Sequence, residues 1–173
     1  KHNNWSLATN DGINLLSPGN NKDDMYRFLL FICAVIRGSS KYASLLRMSA
    51  ANAGNAHRLG GHEAPPAIIS VFLGKVISEL LELVSKGKEI TFSKNSDMLN
   101  LGVQTLAKVE KHSIDRNRTS SLAFTSNKFE LRMPPSSISI AGVNVVLNTI
   151  VAEGLDIFAT KLEKAEDRNI EIT

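Results

Sequence analysis

Three segments of this chain set arginines beside other groups that can do chemistry. The first is His57-Arg58-Leu59-Gly60-Gly61-His62-Glu63-Ala64-Pro65-Pro66, the second Asp115-Arg116-Asn117-Arg118-Thr119, the third Lys128-Phe129-Glu130-Leu131-Arg132-Met133. A guanidinium is planar and carries a fork of donors, so it captures carboxylate or phosphate through two parallel bonds. A carboxylate close by can hold a divalent cation or accept a proton. Arginines and carboxylates in one place point to a site that takes an acidic substrate and a phosphate donor. Each group also has a plainer reading. Arg58 and Glu63 could be a loop ion pair worth less than about 1 kcal/mol. Glu130 and Arg132 could be the solvated side of an edge strand, and His2 a surface residue near a chain end. His112 reads as surface, and His57 and His62 as loop polarity.

The elements that would position these groups follow from periodicity. Asn127–Met133 alternates as a strand, with Phe129, Leu131 and Met133 on one side and Lys128, Glu130 and Arg132 on the other. Glu130 and Arg132 then share a face, about 7 Å apart along the strand. Residues 1–21 read as a strand end and a turn-rich loop, with Asp11-Gly12 and Ser17-Pro18-Gly19 as turn chemistry. A helix is expected from Lys22 to Arg37, capped by Asn21, acidic at Asp23 and Asp24, and ended by Gly38. A shorter helix is expected over 41–46. Residues 49–66 lack periodicity and form a long loop, which inside a compact domain is often functional. A helix from Pro66 to Lys86 would bury Ile69, Phe72, Val76, Leu80 and Val84 and stop at Gly87. Short extended runs are read at 89–92 and 99–106, and a last long helix at 136–166.

Composition sets the frame. With 173 residues, 43% of them apolar and 21% charged, the chain has the make-up of a globular domain with a real core. The net charge of +3, with no Lys/Arg run, gives no reason to expect nucleic acid as a partner. One cysteine, Cys33, excludes an internal disulfide and fits a reducing, cytoplasmic compartment. The longest apolar run, Phe28 to Ile36, is too short to span a bilayer, so no membrane is expected. No strand–GxxxxGK–helix phosphate loop is present. The polar start with Lys1 is read as the interior of a longer protein.

The motifs KHNNWSL, DGINLLSPG, LLRMSAANAGNAHRLGGHEAPPAIISVFLG and DRNRTSSLAFTSNKFELRMPPSSISIAGVNVVLNTIVAE together resemble glutamine synthetase of the long, type III form. They cover most of residues 1–155 in the family's order. The resemblance implies an α+β fold, an antiparallel sheet backed by helices, and the C-terminal part of a catalytic domain over 1–173. The upstream half and an N-terminal β-grasp domain would lie outside this chain. It implies ligation of ammonia to glutamate with ATP, through a γ-glutamyl phosphate, using two Mg2+ or Mn2+ sites, of which one is only partly encoded here. It also implies a homo-oligomeric double ring.

Residue by residue, the resemblance assigns His2 and Glu130 to one metal, and Asn4 and Ser6 to ATP. Arg58 and Arg132 would bind glutamate. Glu63 would take the proton of ammonium, and Arg118 would face ATP and the transferred phosphate. Asn4 stands where the family's shorter forms carry a second histidine, and Ala56 and His62 depart from the type III pattern. Two other readings remain open: a non-catalytic scaffold or regulatory derivative of the same fold, and a related ligase using another amine.

Overall fold

Four short strands and four helices follow from these patterns in the computed structural model, which describes residues 2–19, 21–51, 55, 69–88 and 120–166. The strands are β1 (Asn3–Trp5), β2 (Val71–Phe72), β3 (Leu122–Phe124) and β4 (Phe129–Leu131). The helices are α1 (Lys22–Lys41), α2 (Ala43–Ala50), α3 (Lys75–Ser85) and α4 (Ala141–Glu166).

The strands form one sheet in the order β1-β4-β3-β2. β1 pairs antiparallel with β4, and β3 antiparallel with β4, but β2 runs parallel to β3. The sheet is therefore mixed, which corrects the expectation of an antiparallel one. β4 lies inside the sheet between β1 and β3, so the plainer reading of Glu130 and Arg132 as an edge-strand surface fails on topology.

Register sorts the side chains into two faces. Trp5, Phe129 and Phe124 align across three strands, as do Asn3, Leu131 and Leu122. This face packs on the helices. Phe28 of α1 meets Phe124 at 5.6 Å between ring centroids, and Phe124 meets Phe129 edge-on at 5.4 Å. Asn4, Glu130 and Ala123 align on the opposite face.

α1 begins as the sequence predicts. Asn21 is extended and its side-chain oxygen accepts from the Asp24 amide at 2.8 Å. The helix does not stop at Gly38, however. It continues to Lys41 because Gly38 is needed for packing rather than for a cap. A Cβ there would lie 2.6 Å from the Ile150 carbonyl oxygen of α4. Gly154 of α4 meets Ala34 in the same crossing, where a Cβ would lie 3.2 Å from its carbonyl oxygen. Two glycines thus let α1 and α4 approach backbone to backbone. α2 turns away from α1 by 78°.

Two other expectations change. The segment read as one helix from Pro66 splits. Val71–Phe72 joins the sheet, Gly74 turns the chain at φ 79°, and α3 starts at Lys75. The β-branched residues Ile69 and Val71 suit extended backbone beside β3, and a glycine in the left-handed region breaks helical continuity. Gly87 does end α3, at φ 68°. Residues 136–140 precede α4 as a turn, so that helix starts at Ala141. α4 is long and apolar enough to cross a membrane by length and composition. Its buried side, Val143, Leu147, Ile150, Val151 and Gly154, belongs to the core shared with α1 and the sheet. The runs expected at 89–92 and 99–106 lie outside the described residues.

Candidate active site

The face of the sheet opposite Phe124 and Phe129 carries the chemistry. Glu130 sits in mid-β4, opposite Asn4 of β1 on one side and Ala123 of β3 on the other. Its two carboxylate oxygens face different partners. Oε1 meets Nδ1 of His2 in close contact. Oε2 accepts from Arg132 Nε at 3.1 Å and from Nη2 at 3.0 Å. The pairing register explains why. Asn3 opposes Leu131 and Asn4 opposes Glu130, so one more step brings His2 beside Arg132, flanking Glu130. Residues 2, 4, 130 and 132 thus share one face.

Exposure grades across the cluster. The His2 side chain is 34% exposed, Glu130 15% and Arg132 4%. Arg132 is therefore no solvated surface charge, and a guanidinium this buried requires the partnered carboxylate it has. The cluster opens toward water on the His2 side. Asn4 is exposed there. Ser6, one further alternation along the chain, is exposed as well, and its hydroxyl bonds Asn14 Oδ1 at 2.9 Å and the Asn127 carbonyl at 3.1 Å.

An imidazole nitrogen and a carboxylate oxygen that converge at the open end of a cluster are a donor pair suited to a divalent cation of the Mg2+ or Mn2+ kind. The residues present fit such an ion, with Arg132 holding the far oxygen of Glu130 and so fixing the carboxylate's orientation. They are two donors. Among the described residues, no group of three or more His, Cys, Asp or Glu side chains comes together.

Of the residues singled out from sequence, the structure brings His2, Glu130 and Arg132 into contact and sets Asn4 in the same row. Ser6 lies at the end of that row. Arg58, Glu63 and Arg118 lie outside the described residues, as do His57, His62, His112 and Arg116.

One residue within the segment 49–66 escaped the sequence reading. Asn55 is fully buried, and its amide donates to the Ala50 carbonyl at 2.7 Å and the Met133 carbonyl at 3.0 Å. It ties the end of α2 to Met133, the residue that follows Arg132 after β4, and it stands three residues before Arg58 in the chain. The signal was a polar amide in the run Ala50-Ala51-Asn52-Ala53-Gly54-Asn55, but two asparagines in a loop gave no means to choose the structural one.

Fold and cluster together define a small α+β unit whose mixed sheet presents an imidazole, a carboxylate and a guanidinium on one face. No family model matches the chain. Individual proteins do. The chain is 50% identical over 155 residues to the type-3 glutamine synthetase of Dictyostelium discoideum, which is 90% of this chain and 21% of that protein. It is 41% identical to the glutamine synthetase of Bacteroides fragilis (strain YCH46) over 98% of this chain and 24% of that protein. The glutamine synthetase of Butyrivibrio fibrisolvens is 48% identical over 80% of this chain and 20% of its own length. The chain thus matches one segment of type III glutamine synthetase, and it spans between a fifth and a quarter of the length of these relatives.

Proposed function

We propose that this chain supplies the C-terminal part of the catalytic domain of a glutamate–ammonia ligase, which makes glutamine from glutamate, ammonia and ATP through a γ-glutamyl phosphate. The observation that carries the reading is the junction of His2, Glu130 and Arg132 on one face of the sheet, in a chain 41–50% identical to glutamine synthetases.

In this reading His2 and Glu130 hold one of two Mg2+ or Mn2+ ions. When bound, the ion neutralises phosphate oxygens and the charge that grows on them in phosphoryl transfer. Arg132 keeps the Glu130 carboxylate turned toward His2; its role toward the glutamate substrate rests on the resemblance, the guanidinium being only 4% exposed in this chain. Arg58 binds the substrate's carboxylate, and positioning of that kind can supply roughly 7–11 kcal/mol of a barrier. Asn4 and Ser6, on the open side of the row, contact ATP. Arg118 faces the phosphate in flight. Glu63 takes a proton from ammonium, so that neutral ammonia attacks the acyl phosphate carbon and inorganic phosphate departs. The full enzyme works in the cytoplasm as a homo-oligomeric double ring.

The test is an assay of the full-length protein with glutamate, ammonium, ATP and Mg2+ or Mn2+. Glutamine should form, and Glu130→Ala should lower the rate at least about 100-fold, as expected for a group acting on the reacting phosphate. Glutamine formation undiminished in that variant would sink the metal role.

A further inference from the structure

β1 carries the site on one side and the core on the other, and among the described residues its ladder is three residues long, with β4 as its one partner strand. A strand paired on one side over so short a length is weakly fixed in register, and a slip of one residue would turn every side chain to the opposite face. Two core-side residues of β1 bring hydrogen-bond donors inward. The Asn3 amide, in a residue only 4% exposed, donates to Asn144 Oδ1 at 2.6 Å. The Trp5 indole, which can only donate, reaches Asn148 Oδ1 at 2.7 Å.

Both acceptors stand on α4, one turn apart. Two residues of strand advance about 6.6 Å, and four residues of helix advance about 6.0 Å. Donors at 3 and 5 are therefore in step with acceptors at 144 and 148. No other single shift of β1 along α4 would satisfy both. The far end of β1 is fastened separately, where Ser6 and Asn14 bond the Asn127 carbonyl. The end beside His2 has the Asn3–Asn144 bond.

We propose that Asn144 and Asn148 are positioning residues of the site: they clamp β1 in the register that sets His2 against Glu130. They bond the core-side residues Asn3 and Trp5, on the opposite face of β1 from His2 and Asn4, and so do not act as ligands of the ion. The inference rests on the reading of His2 and Glu130 as ligands of one metal.

The test uses the full-length protein and Mn2+ titrations followed by electron paramagnetic resonance, with circular dichroism and thermal midpoint as controls for folding. Glu130→Ala first identifies which Mn2+ binding belongs to this site. Asn148→Leu, which fills similar space without an acceptor, should weaken that binding about tenfold, the low end of what losing a supporting partner behind a metal ligand costs. Asn148→Asp keeps the acceptor and should bind within about twofold of wild type. Asn144→Leu and Asn144→Asp should divide the same way. If the leucine variants fail to fold, Trp5→Phe removes the donor and keeps a smaller aromatic ring, and it should show the same loss. Wild-type Mn2+ binding in a folded Asn148→Leu or Trp5→Phe protein overturns the clamp while the metal reading stands. An aspartate variant as weak as the leucine variant also overturns it. Mn2+ binding unchanged in Glu130→Ala overturns the metal reading itself, and the clamp's role in the site falls with it.

Discussion

Glu130 is placed between two partners by the alternation of a single strand and the register of its neighbour. That much was legible from residues 127–133, because period-two patterning decides which side chains share a face. The contact with His2 was not legible from spacing, since it joins positions far apart in the chain. Only the resemblance to a known family connected them. Glu63 belongs to the same scale and supports a sharper test. In the proposed mechanism its sole chemical task is to remove a proton from ammonium. Glu63→Gln in the full-length protein should lower glutamine formation about 10²–10³-fold at neutral pH, within the usual worth of a positioned base. The deficit should shrink as pH rises toward that of ammonium's own dissociation, because free ammonia then needs no base. A rate profile of wild type and variant across that range measures it. A deficit constant with pH would assign Glu63 to closing the site or binding, not to proton transfer.

At the scale of elements, the helix pair that backs the sheet depends on two glycines of unequal tightness. Gly38→Ala would force a Cβ to 2.6 Å from backbone oxygen, which cannot yield as a side chain could. Overpacking of that kind costs about 1–3 kcal/mol. At Gly154 the contact would be 3.2 Å, a few tenths of an ångström too close. There the gain of about 1 kcal/mol from replacing glycine inside a helix offsets much of the strain. Urea unfolding should therefore show Gly38→Ala destabilised by about 2 kcal/mol and Gly154→Ala near neutral. The reading of Gly38 as a helix stop shows where local signals mislead: a glycine that permits close packing looks the same in sequence as one that ends a helix. The missed strand at Val71–Phe72 has a similar cause, since a run of two strand residues is too short for any period to register, and its identity comes from pairing with β3.

The same helix pair is joined at its rim by Lys41 Nζ and Glu153 Oε1, 2.6 Å apart. The bond to Lys41 is the main reason the Glu153 carboxyl titrates below its ordinary value. The bond to Glu153, and next that to Tyr42, holds the Lys41 ammonium above its own. A depressed carboxylate contributes stability that is complete above the unfolded value of 4.5 and is lost as pH falls through the folded one. A raised lysine contributes stability that is complete below 10.5 and is lost as pH climbs through its folded value. The stability difference between wild type and Lys41→Met should accordingly be flat in the middle range and shrink below pH 4.5 and above pH 10.5. Thermal midpoints of both proteins against pH check this, and a difference that grew in acid would show that the pair does not join the helices.

For the molecule as a whole, the donor count decides between the enzyme and a scaffold. A Mg2+ or Mn2+ ion of the kind proposed takes about six oxygen or nitrogen donors. His2 and Glu130 provide two, and no third His, Cys, Asp or Glu joins them among the described residues. Substrate oxygens and water can complete one such site. The second metal of the proposed reaction needs carboxylates that the motifs of this chain do not contain. The relatives offer a source, since this chain spans between a fifth and a quarter of their length. Denaturing mass spectrometry of the natural source polypeptide should therefore give several times the 18.9 kDa of these residues. The remaining ligands would then stand elsewhere in the same polypeptide, and the site described here would be the half that Arg132 orients. A mass near 18.9 kDa would leave one metal pair without its partner site. In that case the retained cluster would serve a scaffold or regulatory protein, and metal-dependent ATP binding should be absent by calorimetry.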